Sequence, residues 1–132
     1  MNIITTLPES APLIDRVVDV IEHNPDAHNQ NYWAWRDMDY SLPAPPLNIS
    51  IDNFPCGTTA CVAGWALLLA GYAITFDEDS DIADCAENGR IIPLLARELL
   101  RLEREQAEQL FGWTKDLASI RRVVDMIKEG SK

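Results

Sequence analysis

Phe54–Tyr72 reads FPCGTTACVAGWALLLAGY, and from Ala60 onward it holds no charged residue. A helix here puts Ala60, Ala63, Gly64, Leu67, Ala70 and Gly71 on one side, and Cys61, Trp65, Leu68 and Tyr72 on the other. Both faces are apolar, so both need cover. The expected fold is therefore mainly α: a single-domain bundle of about five helices around a buried central helix, residues 59–72. Thr58 or Thr59 is the expected cap, accepting a hydrogen bond from an orphan amide. The small residues on the first side let another helix approach closely. The apolar run Ala60–Ile74 falls short of the about 20 residues a membrane span needs, so a core helix is expected.

Upstream, Leu13, Val17, Val20 and Ile21 repeat at helical spacing, with Ile14 and Val18 widening the stripe. The expectation is an amphipathic helix over 11–23, capped by Ser10 and stopped at Asn24-Pro25. Residues 24–55 carry Pro25, Pro43, Pro45, Pro46 and Pro55 together with Tyr32, Trp33, Trp35 and Tyr40. They read as an ordered, aromatic-rich loop insertion over the core. Downstream, Ile74-Thr75-Phe76 suits a short strand. Residues 77–90 read as an acidic hairpin, and Asn88-Gly89 marks a small β-hairpin near 83–92. Helices are expected over 93–101, 104–111 and 116–129, the last capped by Thr114. Its apolar stripe of Leu117, Ile120, Val124 and Ile127 can pack internally or pair two chains, so a homodimer is open.

The chain has 132 residues, 47% of them hydrophobic and 24% charged. That suits one domain, residues 1–132, burying about two-thirds of its unfolded surface. The net charge of −10 disfavours nucleic acid, which is held largely by Lys and Arg, and equally an anionic membrane surface. Three cysteines, with no basic-then-apolar leader, point to free thiols in a reducing cytoplasm.

Four residue sets could carry chemistry. Cys56 and Cys61 flank a helix N-terminus, where the positive dipole end favours thiolate. The histidines, His23 and His28, both precede them, so a papain-like order of nucleophile and base is missing. The expectation is no catalytic residue, the low-ranked candidates being Cys56, Cys61, His23 and His28. Those four could also form a two-histidine, two-thiolate zinc set, but Asn24-Pro25 breaks the helix between the histidines. Asp77, Asp79 and Asp81 match the start of a calcium loop, but Ile82 stands where glycine belongs and Asn88 where glutamate belongs. No metal and no cofactor are therefore expected. The remaining set is partner-binding: Tyr32, Trp33, Trp35, Arg36 and Tyr40 as aromatic and cationic anchors, with Asp77, Asp79 and Asp81 as an acidic surface.

Gln30 to Trp33, CGTTACVAGWA (56–66), ARELLRL (96–102) and QAEQLF (106–111) together resemble a family of small uncharacterised proteins from actinobacteria and their phages. That family shares a Cys-Gly-Thr…Cys-x-Ala-Gly-Trp core motif, its most specific part. The likeness spans roughly residues 11–127, with Asp37–Asn53 looking like an addition. It implies a phage or actinobacterial setting and supplies no reaction. The expected function is a non-enzymatic cytoplasmic interaction factor, a phage accessory protein binding a host or phage protein. The alternatives are an acidic nucleic-acid mimic that inhibits a host enzyme, and a cysteine-dependent hydrolase.

Overall fold

The computed structural model describes residues 3–38, 47–55 and 57–130, and of Trp113 the backbone alone. Helix α1 is Leu13–His23, and strands β1 and β2 are Ala34–Trp35 and Asn48–Ile49. Strand β3 (Thr59–Ala60) leads into α2 (Val62–Leu69), followed by β4 (Ile74–Thr75), β5 (Ile82–Ala83) and β6 (Cys85–Ala86). Helices α3 (Ile92–Leu100), α4 (Arg104–Glu108) and α5 (Leu117–Gly130) complete the order, with a π turn over Gln109–Trp113 between the last two.

This is an α+β fold and not a helical bundle with one hairpin: five helices are joined by two three-stranded antiparallel sheets. In the first sheet β1 lies between β3 and β5, with Ala34 opposite both Ala60 and Ala83. In the second β4 lies between β2 and β6, with Ile74 opposite Ile49 and Ala86. Each strand has two residues, too few to show the alternation that marks a strand in a sequence. The turn at Asn88-Gly89 does form. Gly89 takes φ +83°, and the Ala86 amide donates to the Arg90 carbonyl at 2.9 Å. Its first arm, however, is split by Asp84 between the two sheets, and its second contributes one bridge, Cys85 to Ile91, before α3 begins.

The segment 24–55 is likewise not an insertion laid over a finished core. It supplies the central strand of one sheet and an edge strand of the other. It also supplies Ile49 and Phe54, both buried, the Phe54 ring lying 4.8 Å from that of Trp65. Tyr40, Pro43, Pro45 and Pro46 fall outside the described residues.

Helix α2 is shorter than the expected 59–72, yet every one of its eight residues is buried. Trp65 is wholly enclosed and donates its indole N–H to the Ala27 carbonyl at 3.1 Å. The helix packs between α1 and α3. It ends in a Schellman turn. Gly71 at φ +94° lets the Tyr72 amide reach back to the Leu67 carbonyl and the Gly71 amide to that of Leu68.

Three expected caps are replaced. Thr59 sits in β3 and Thr58 is buried ahead of it, so Cys61 takes the N-cap position of α2. Pro12, not Ser10, precedes α1. Asp116 begins α5, accepting from the Ser119 amide at 2.8 Å, while the Thr114 hydroxyl donates to the Leu110 carbonyl. Helix α4 opens on a capping box between Glu103 and Gln106 and gives way to the π turn at Gln109 rather than running to 111. Among the described residues no helix is long and apolar enough to cross a membrane.

Candidate functional site

Trp33 is placed by the backbone of α2. The Cys61 amide donates to the Trp33 carbonyl at 3.3 Å, and the Asn29 amide donates to the Ala60 carbonyl at 3.2 Å. The approach is close enough to require glycine: a Cβ on Gly64 would stand 2.2 Å from the Trp33 oxygen. Gln30 locks the same segment. Its Oε1 accepts from the Val62 amide (3.2 Å) and from His28 Nε2 (2.9 Å), while its Nε2 donates to the Phe111 carbonyl (3.0 Å). One glutamine thus satisfies an orphan amide of α2 and ties the loop to the π turn.

So positioned, the half-buried Trp33 ring meets Phe111 edge-on, with centroids 6.4 Å apart and planes at 84°, a favourable quadrupole arrangement. Two grooves flank this pair. One, of about 440 Å³, runs past Tyr32 and Ile82. The other, of about 480 Å³, runs between α3 and α4 past Leu94 and Arg97. Leu94, Tyr32 and Ile82 are 55%, 43% and 38% exposed, large apolar or aromatic side chains left in water on one face.

Trp35 and Arg36 connect this face to the acidic loop. The Trp35 indole donates to Asp81 Oδ2 at 3.3 Å, and the Arg36 amide donates to the Asp81 carbonyl at 2.8 Å. Arg36 itself is only 2% exposed. Its guanidinium lies 4.6 Å over the Phe76 ring and donates to the carbonyls of Asp77 (2.8 Å), Ser80 (3.1 Å) and Glu78 (3.5 Å). Arg36 therefore acts from inside, gathering the loop's carbonyls while Asp77, Glu78, Asp79 and Asp81 remain exposed. Of the expected partner-binding residues, Tyr32 and the three aspartates are exposed, Trp33 and Trp35 are half-buried with Trp35 bonded to Asp81, Arg36 is buried, and Tyr40 is outside the described residues.

Nothing among the described residues supports the cysteine and histidine candidates as a catalytic or metal set. Cys56 is outside the described residues. Cys61 is buried, and burial pushes its thiol up to about 11, outweighing the downward pull of the Gly64 and Ala63 amides. That is the opposite of an activated thiolate. His23 Nδ1 donates to the Asp19 carbonyl at 2.8 Å, and His28 is engaged by Gln30. Among the described residues no three His, Cys, Asp or Glu side chains stand close enough to hold a metal ion.

Phe111, Leu94, Arg97 and Gln30 were not among the expected partner-binding residues. A signal existed for Leu94: the adjacent pair Leu94-Leu95 in a short helix cannot both face one core. Gln30 and Phe111 stood in the motifs that carry the family resemblance, but no local signal gave their contact, which spans chain positions far apart.

Fold and site together define an α+β domain with an aromatic-floored apolar face beside an acidic loop. No family model matches the chain, and no curated protein or solved structure matches it either.

Proposed function

We propose that this chain is a non-enzymatic protein-interaction factor whose contact surface is the Trp33–Phe111 face with the adjoining acidic loop. The observation that carries the reading is the cluster of exposed Tyr32, Ile82 and Leu94 around the edge-on Trp33–Phe111 pair. Interfaces are rich in aromatic anchors, and clustered apolar exposure marks contact surfaces. The carboxylates of 77–81, at the edge of that surface, steer and orient the encounter. The family resemblance supports a phage accessory role in a host cytoplasm, with a host or phage protein as the partner. The buried, poorly ionised Cys61 weighs against the hydrolase alternative. The compact acidic loop weighs against nucleic-acid mimicry, which asks for acids spaced along a strand.

Quantitative affinity capture from an actinobacterial lysate tests the reading. The wild-type chain is expected to enrich a protein that a Tyr32→Ala/Leu94→Asp double variant does not. Equal recovery by both forms would remove this face from the function.

A further inference from the structure

The groove between α3 and α4 is lined by two helical stripes. Pro93, Leu94 and Arg97 come from α3, and Arg104, Ala107, Glu108 and Phe111 follow i, i+3, i+4, i+7 spacing along α4 and the π turn. Two such stripes facing each other leave a trough into which a third helix packs. Its charge is unusual for this molecule. The chain carries 21 acidic and 11 basic residues, yet the trough holds two arginines and one glutamate. That glutamate, Glu108, is already paired with Arg104 at 3.3 Å. Arg97 is half-buried, and its Nε is anchored on the Leu102 carbonyl at 3.1 Å. It has no ion pair among the described residues. A guanidinium has five donor hydrogens, and a single anchoring bond at Nε leaves its terminal donors to offer a carboxylate.

From this we infer that the α3–α4 groove binds an acidic amphipathic helix of a partner protein. Large apolar residues at i, i+3 or i+4, and i+7 lie against Leu94, Ala107 and Phe111, and an Asp or Glu side chain pairs with Arg97. The inference rests on the interaction reading above and narrows it to one groove and one ligand chemistry. Arg97 supplies selectivity for the acidic residue, and the apolar stripes supply most of the contact.

A display library of stapled helical peptides about 14 residues long, stapled because short helices are marginal in water, selected against the full chain is the test. Enriched peptides are expected to carry the apolar spacing and at least one carboxylate. Synthesised winners are then measured by fluorescence anisotropy. Arg97→Gln and Leu94→Asp should each weaken binding about tenfold or more, and Arg97→Lys should retain part of it. A peptide with its acid changed to amide should lose affinity for the wild type and none further for Arg97→Gln. Leu94 is exposed, so Leu94→Asp keeps the fold even if an Arg97 variant does not. Absence of enrichment, winners without carboxylates, or indifference to both variants overturns the inference. So does a concentration-dependent dimer that competes with the peptides, which would assign the groove to a second copy. If the lysate partner is retained by Arg97→Gln and Leu94→Asp single variants but lost with Tyr32→Ala, the interaction reading stands and this groove is not its site.

Discussion

Gly64 shows how one missing methyl can place a whole surface. The Trp33 carbonyl occupies the space its Cβ would need, so Gly64→Ala should push the aromatic segment off α2. Overpacking of this kind costs about 1–3 kcal/mol, to be read as a lower urea midpoint with unchanged slope. Arg101 is the reverse case. It holds a left-handed position, φ 55°, at the end of α3, where the Leu102 amide reaches back to the Arg97 carbonyl. The left-handed penalty is about 1–2 kcal/mol; offset by glycine's extra unfolded-state freedom, Arg101→Gly should gain about 0.5–1 kcal/mol, measured as a raised Tm. A loss of stability would mean that the Arg101 side chain contributes more than its backbone costs. Cys61 is a third residue whose behaviour follows from position. Burial pushes its thiol pKa up to about 11, so little of it is thiolate at pH 8. Iodoacetamide on the folded protein should leave Cys61 unmodified while the part-exposed Cys85 reacts. Rapid alkylation of native Cys61 would reopen a nucleophilic role.

At the scale of elements, α1 has a second task besides its apolar stripe. Asn24, at its end, brackets the N-terminal arm: the Ile4 amide donates to Asn24 Oδ1 at 2.8 Å, and Asn24 Nδ2 donates to the Ile4 carbonyl at 2.7 Å. One turn earlier, Asp19 accepts from the Thr6 amide (2.8 Å), from the Thr6 hydroxyl and from the Leu7 amide (3.4 Å). Burial alone would raise the Asp19 pKa, but these hydrogen bonds, with His23 alongside, hold it below the ordinary carboxylate value. Its folded-state pKa is depressed, so Asp19 contributes stability that is present above the unfolded value of about 3.9. That contribution is lost as pH falls through the lower folded value. Hydrogen exchange at the Thr6 and Leu7 amides should accelerate below about pH 4 relative to the core, and Asp19→Ala should produce the same release at neutral pH. An arm equally protected in that variant would show that Asn24 alone holds it.

For the whole molecule, the segment 24–55 decides whether the two sheets exist at all. Ile49 is buried opposite Ile74, so Ile49→Ala should cost about 2–5 kcal/mol in a single cooperative thermal transition. A dispensable addition, as the family resemblance suggested for 37–53, would lose nothing. Much of the helical scaffold was legible in the residues. The all-round apolar character of Val62–Leu69 required burial, the stripes of α1 and α5 marked their inner faces, and Asn88-Gly89 marked its turn. These follow from periods and conformational preferences that a short window of chain contains. Strand β4 was legible at Ile74–Thr75, but the sheets as wholes were not, because two-residue strands such as Ala34–Trp35 carry no period and draw partners from Thr59–Ala60 and Ile82–Ala83. Nor was the site legible beyond its aromatic half. Tyr32 and Trp33 stood out by composition, whereas Phe111, Leu94 and Arg97 reached them through helix packing, and Arg36 became an inner clasp once Phe76 and the carbonyls of 77–80 closed around it. Local preference thus determined which helices form and which faces they bury. Pairing, groove and buried guanidinium were decided by the tertiary structure, because each depends on groups brought together across long stretches of chain.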